Sequence, residues 1–215
     1  MSEDSTRLAI EGVRFFGEMS ASVSHEIKNV LAVINENAGL LADMLAMNAN
    51  GRPLDVERLH RMARSIAGQV NRGDGLVKGM NRFAHSADDA RETVDVVEAI
   101  RFMTALAGRL IAIHGPPPRI AAPAAVSAHT NRFFLENLVW ACLRRAMQAA
   151  AAGQPVAITV ENHDDRACIR YHGLIPEALG APPAFPSSRE TSVLALLGAE
   201  LTVDTAAGEI RIMLP

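Results

Sequence analysis

The sequence has no surplus of positive charge. Its 21 lysines and arginines are set against 24 aspartates and glutamates, a formal charge of −3, and they form no basic stripe along which a nucleic acid could lie. The partner expected from charge alone is therefore protein. Cysteine is almost missing. Cys142 and Cys168 stand in separate apolar segments, too far apart for a metal spacing or a disulfide framework, and both are read as buried thiols of a reducing compartment. The chain begins Met-Ser-Glu-Asp, acidic where a secretory leader would be basic, and no apolar run reaches the ~18 residues expected of a membrane span. A soluble, cytoplasmic chain without a membrane segment or a sensor of its own is expected. What is plentiful is apolar content, 49% over 215 residues, enough for one or two buried cores.

Proline is absent between Thr6 and Asn48, and the apolar positions Phe16, Met19, Val23, Ile27, Val30, Ile34, Ala38, Leu41 and Leu45 recur in steps of three and four. That period predicts one long amphipathic helix, about 60 Å at 1.5 Å per residue. Turn formers and a proline at Asn48-Ala49-Asn50-Gly51-Arg52-Pro53 end it, and Val56, Leu59, Ala63, Ile66, Val70, Val77 and Met80 begin a second periodic stretch. The short connection makes the two helices antiparallel. A lone pair this long leaves much of both apolar stripes wet, whereas two copies side by side bury them in a four-helix bundle, so a homodimer is predicted.

His25 lies two residues from Val23 and from Ile27, about 200° around the helix from each. It should point away from the core, on a polar strip shared with Glu18, Ala21, Asn29, Ala32 and Glu36. The six other histidines, His60, His85, His114, His129, His163 and His172, have no such setting and read as ordinary surface or turn residues.

Around His25 the sequence reads Ser24-His25-Glu26-Ile27-Lys28-Asn29, which resembles the H-box of bacterial sensor histidine kinases. The box also lies on the first helix of a hairpin, as the family has it. The resemblance implies that His25 accepts a phosphoryl group, that Glu26 acts as general base, and that Asn29 orients water during dephosphorylation. The chemistry agrees: an imidazole titrating near neutrality is nucleophilic when one nitrogen is free, and a neighbouring carboxylate can fix its tautomer.

A polar stretch from Ser86 to Glu92 separates this hairpin, residues 1–86, from an α/β pattern over 93–215. Helices are expected at 96–113, 131–152 and 189–199, and strands at 119–122, 156–161, 167–171, 201–204 and 210–214. The order resembles the ATP-binding domain of histidine kinases. The fold class predicted for the whole is thus α plus α/β: an antiparallel hairpin that dimerises as a four-helix bundle, then a small α/β sandwich. Leu197-Gly198-Ala199-Glu200-Leu201-Thr202-Val203 and Gly208 keep the family's closing pattern, but its ligand-bearing positions depart from it. Arg145-Ala146 stands where the family has a magnesium-binding asparagine, with Asn137 two turns earlier read as structural. Ile169-Arg170-Tyr171-His172-Gly173-Leu174-Ile175-Pro176 offers no adenine-reading aspartate. Ser188-Arg189-Glu190-Thr191 replaces the glycine-rich phosphate loop, and Glu190 would repel a triphosphate. The proline-rich Gly180–Pro186 segment reads as a rigid connector rather than a nucleotide lid.

No ATP or other cofactor is therefore expected on this chain, and any magnesium would be carried by a receiver partner. The function expected is that of a dimeric histidine phosphotransferase passing phosphoryl groups between response-regulator receiver aspartates through His25. The receiver should dock along Ala21, Ser22, Lys28, Leu31, Ala32 and Asn35. The alternatives are a receiver phosphatase using Glu26 and Asn29, a non-catalytic kinase-binding regulator, and a divergent active kinase.

Overall fold

The computed structural model describes residues 3–122 and 124–215, with side chains from Ser5 onward, so the first residues of the acidic start lie outside that description. The chain divides into two compact units, Ser20–Arg82 and Met1–Met19 with Phe83–Pro215. A break near residues 86–93 is therefore only part of the division: the first turns of the long helix belong with the C-terminal unit.

The hairpin unit is built on α1 (Glu3–Ala49) and α2 (Val56–His85). Asn48 Nδ2 donates to the Arg52 carbonyl and Gly51 takes φ +87°, which turns the chain back. Asp55 then accepts the Arg58 amide at 2.9 Å and starts α2. Val23, Val30 and Met62 are buried between the helices, and Asn37 Nδ2 reaches Ser65 Oγ at 3.3 Å. Much of the predicted stripe remains open. Leu45 on α1, and Val56, Val70 and Val77 on α2, are exposed, as are Leu31, Leu40 and Met47 outside that stripe. The expectation that no segment has membrane length needs correcting, because α1 is long and apolar enough to cross a membrane by length and composition.

In the C-terminal unit a five-stranded sheet has the order β2-β4-β5-β7-β6, formed by β2 (Arg119–Ala121), β4 (Ala157–His163), β5 (Arg166–His172), β6 (Glu200–Asp204) and β7 (Glu209–Leu214). Only β2 and β4 run parallel; the other neighbours are antiparallel. Asp164 and Asp165, both with positive φ, make the two-residue turn between β4 and β5. Gly208 is required for more than its φ of +61°: a Cβ there would stand 2.2 Å from the Leu174 carbonyl oxygen.

Against the sheet lies α5 (Arg132–Ala149), started by Asn131, whose side chain accepts the Phe134 amide. Leu135, Leu138, Val139, Cys142, Leu143 and Ala146 of α5 are buried, together with Ile158, Ile169, Ile210 and Ile212 of the sheet. Tyr171 donates its hydroxyl to the Val139 carbonyl at 3.2 Å, joining β5 to α5. The helix expected at 96–113 is broken at Ala107 into α3 (Val96–Leu106) and α4 (Gly108–His114), where the Ala107 amide closes a tight turn and glycine opens the next helix. Three elements are additional to those expected. β1 (Glu92–Asp95) pairs antiparallel with β3 (Ser127–Thr130), and α6 (Pro176–Gly180) follows β5.

The first turns of α1 enter the same core. Phe15 is fully buried, with ring centroids 5.2 Å from Phe83 and 5.3 Å from Phe133, while Phe16 is half-exposed and stacks on Phe83 at 5.5 Å. The helix period placed Phe16 on the buried stripe; Phe15 takes that role because the rings it meets come from the far end of α2 and from α5. Phe15→Ala is expected to cost about 3–5 kcal/mol in denaturant unfolding, and Phe16→Ala less than half as much. Equal losses would contradict this asymmetry.

Candidate functional site

On α1 the burial pattern turns His25 outward. Val23 is buried, Glu26 and Ile27 are half-buried, and His25, Lys28 and Asn29 are exposed, as the helix period predicts. Among the described residues His25 has no hydrogen-bond or ion-pair partner, so both ring nitrogens are open to solvent.

Glu26 has a partner the sequence did not reveal. Its Oε2 accepts a hydrogen bond from Arg72 Nη2 on α2 at 2.5 Å, the carboxylate 16% exposed and the guanidinium 57%. The helices are close at this level: a Cβ on Gly73 would meet Val30 Cγ1 at 3.3 Å. The other expected docking residues Ala21, Leu31, Ala32 and Asn35 are exposed, but Ser22 is only 3% exposed and is withdrawn from the strip. It lies next to Val23 on the buried side of α1. Glu18, also assigned to that strip by angle, is engaged within the C-terminal unit, accepting from Trp140 Nε1 at 3.1 Å and pairing with Arg144 at 3.5 Å.

The positions where the resemblance would place a nucleotide are held by the protein's own groups. Arg145, 7% exposed, donates from Nη2 to the carbonyls of Leu179 and Ala181, both at 2.5 Å, and so ties the connector after α6 to α5. Asn137 is buried and points to no open surface. At the start of α7 (Ser188–Leu197) Glu190 turns back to accept from the Ser187 amide at 2.9 Å and from its hydroxyl at 2.5 Å. This is a capping box. The helix terminus that could attract a phosphate already holds a carboxylate. His172 spends Nε2 on Thr159 Oγ1 at 2.9 Å.

A cavity of about 390 Å³ remains between α5, the connector and α7, lined by Arg144, Arg145, Gln148, Phe185, Ser187 and Glu190 among others. Its charges are balanced internally. Arg189 on its rim pairs with Glu11 at 2.7 Å, Arg144 with Glu18, and Glu190 contributes a third carboxylate. Beneath it, burial raises the Cys142 thiol well above its usual pKa and the charge of Glu190 adds to the effect, which keeps the thiol protonated and unreactive.

No family model matches the chain, and no curated protein matches it. Solved structures do. The histidine kinase AdeS of Acinetobacter baumannii aligns at 12% identity over 88% of this chain and 96% of its own, with a TM-score of 0.45. The mycobacterial sensor histidine kinase MprB aligns at 19% identity over 58% and 97%, TM-score 0.44. A bacterial phosphotransferase aligns at 16% identity over 93% and 95%, TM-score 0.39. These are similarities at low identity, and the roles of individual residues are argued from this chain alone.

The Arg145 contacts carry a stability prediction. Arg145→Met removes a guanidinium that satisfies two carbonyls, and is expected to cost about 1–3 kcal/mol in thermal or denaturant unfolding. A neutral result would show that the connector does not depend on it.

Proposed function

We propose that this chain is a two-component signalling protein in which His25 receives and passes on a phosphoryl group as a histidine phosphotransferase. The observation that carries the reading is an exposed imidazole without a protein partner, beside a largely buried carboxylate, in the Ser24–Asn29 box of a helical hairpin. The P–N bond forms as the P–O bond to a receiver's aspartate breaks, and the aspartate leaves as a carboxylate. His25 is the nucleophile, Glu26 assists its remaining ring proton, and the receiver docks over Ala21, Lys28, Leu31, Ala32 and Asn35. The receiver brings the magnesium.

Charging from ATP is assigned to another protein. Arg145 stands at the place a metal-binding asparagine would need and is bound to two carbonyls, Glu190 caps α7, and the cavity's other arginines, Arg144 and Arg189, are already paired with carboxylates. A triphosphate would have to displace those carboxylates and leave them unpaired, which is costly for the buried Glu11.

The exposed apolar residues Leu45 of α1 and Val56, Val70 and Val77 of α2 are assigned to a second copy of the chain, which completes a four-helix bundle, and Leu31 is left to the receiver. A bilayer suits them less well, because Asn35, Glu36 and Asp43 lie in the same length of α1 and would carry polar groups into hydrocarbon. This supports a cytoplasmic location. One feature favours a second activity at the same site: Asn29 is exposed one turn beyond His25 and Glu26, with an amide that could orient water against a receiver's aspartyl phosphate.

Mixing the purified chain with a labelled phospho-receiver should place label on the parent protein and none on His25→Ala. Glu26→Gln should slow transfer by roughly tenfold or more, within the range of a lost general base. Release of inorganic phosphate alone, with His25 never labelled, would replace phosphotransfer by the phosphatase reading. In calorimetry, Mg-ATP should give no saturable heat at millimolar concentration, and micromolar affinity would restore the kinase alternative.

A further inference from the structure

The geometry points to Arg72 as a phosphoryl-binding residue of the His25 site, a guanidinium anchored by Glu26 that clamps the phosphoryl group while it moves to and from the imidazole. The inference rests on the phosphotransfer reading above and adds a group from the other helix.

The pair is asymmetric. Its less exposed member is Glu26, with 16% of its side chain exposed, and its open member is Arg72, with 57%. A guanidinium carries five N–H donors in a planar fork. The bond to Glu26 engages Nη2, and no further partner for Arg72 is present among the described residues. Glu26, the residue next to His25, thus fixes one edge of a cation whose side chain stays largely exposed. The close seating of Gly73 against Val30 holds α2 at the level where the arginine can do this.

The chemistry requires such a group. As the P–O bond to the receiver's aspartate breaks and the P–N bond to His25 forms, negative charge spreads over the three non-bridging oxygens of the phosphoryl group. The magnesium that balanced that charge stays with the receiver's carboxylates. The neutral imidazole becomes an N-phosphoimidazolium as the P–N bond forms, and that positive charge is lost when the ring proton passes to Glu26 or to water. The charged groups around the site are Glu26, Lys28 and Glu36 on α1 and Arg72, Asp74 and Lys78 on α2, and Asp74 and Lys78 neutralise each other at 2.7 Å. Lys28 can add charge but not a fork. Arg72 is the cation held in place, and bidentate geometry suits it to phosphate oxygens.

Two measurements on the full-length chain test this. In the first, phosphoramidate labels His25 without any partner, and the phosphorus NMR signal of the phosphohistidine is followed against pH. A nearby cation favours the dianion, so Arg72→Ala should raise the midpoint of its second ionisation by about half a unit or more, a size ordinary for one lost charge neighbour. Arg72→Lys should fall between. In the second, single-turnover transfer from a phospho-receiver should slow by about tenfold or more in Arg72→Ala, a smaller effect than the roughly thousandfold or more of an arginine finger. The half-saturating receiver concentration should not change. In a Glu26→Gln background the same substitution should cost less, because the guanidinium has already lost its anchor.

An unmoved phosphorus midpoint, or a transfer rate within twofold of the parent, would overturn the assignment. So would a loss confined to half-saturation, which would make Arg72 a docking residue only. If receivers never label His25, the functional reading fails, and the phosphoramidate measurement still decides whether Arg72 touches the phosphoryl group. If phosphoramidate does not label an imidazole this exposed, both are overturned.

Discussion

The C-terminal unit depends on burying α5 on nearly every side. A helix apolar around most of its circumference cannot rest on a sheet alone, because its outer face would remain wet. Here β4, β5 and β7 cover one side through residues such as Ile158, Ile169 and Ile210, while Phe15 and Phe83 close over Phe133 on another. Once α1 is used as cover, its carboxylates follow. Glu18 meets Trp140 and Arg144, and Glu11 meets Arg189. The cavity beside α5 therefore inherits arginines that already have anionic partners, and a site suited to a charged ligand becomes a structural seam.

The hairpin shows the opposite economy. Its polar groups are sparsely paired, its apolar stripe is half-covered, and the residue with the most reactive side chain has no partner at all. An unsatisfied surface imidazole costs nothing, since water serves it. It is also the state in which an incoming electrophile can reach either ring nitrogen. The two units thus differ in how their polar groups are spent: Arg144 and Arg189 of one are paired with carboxylates, whereas His25 of the other is exposed.

Local rules made the helices, the sheet strands and the outward direction of His25 legible in the sequence. Each rests on a period of two or 3.6 residues, and no distant information is needed. The losses at Arg145 and Glu190 could also be read as departures, but not what replaced them. The Ser187–Glu190 pair is a local capping signature carried by Ser187-Ser188-Arg189-Glu190 itself. Arg72 could not be found this way, since its partner is far off in sequence and on another helix. The same holds for β1 and β3, whose short Glu92–Asp95 and Ser127–Thr130 segments become strands only by pairing with each other. Phe15 displaced Phe16 for a related reason: helix period finds one stripe, and α1 has to satisfy different neighbours along its length.

That last point bears on how far a motif alone can assign roles. The box around His25 names a base, Glu26, from its position in sequence. A side chain one residue further on is turned by about 100°, and in this chain that turn directs Glu26 to α2 and onto Arg72 rather than across to the imidazole. A carboxylate so held gives up some freedom to collect a proton. Its most constant effect is then to set where a cation stands. The motif fixes which residues surround the histidine, and the opposite helix decides which of them faces the phosphoryl group.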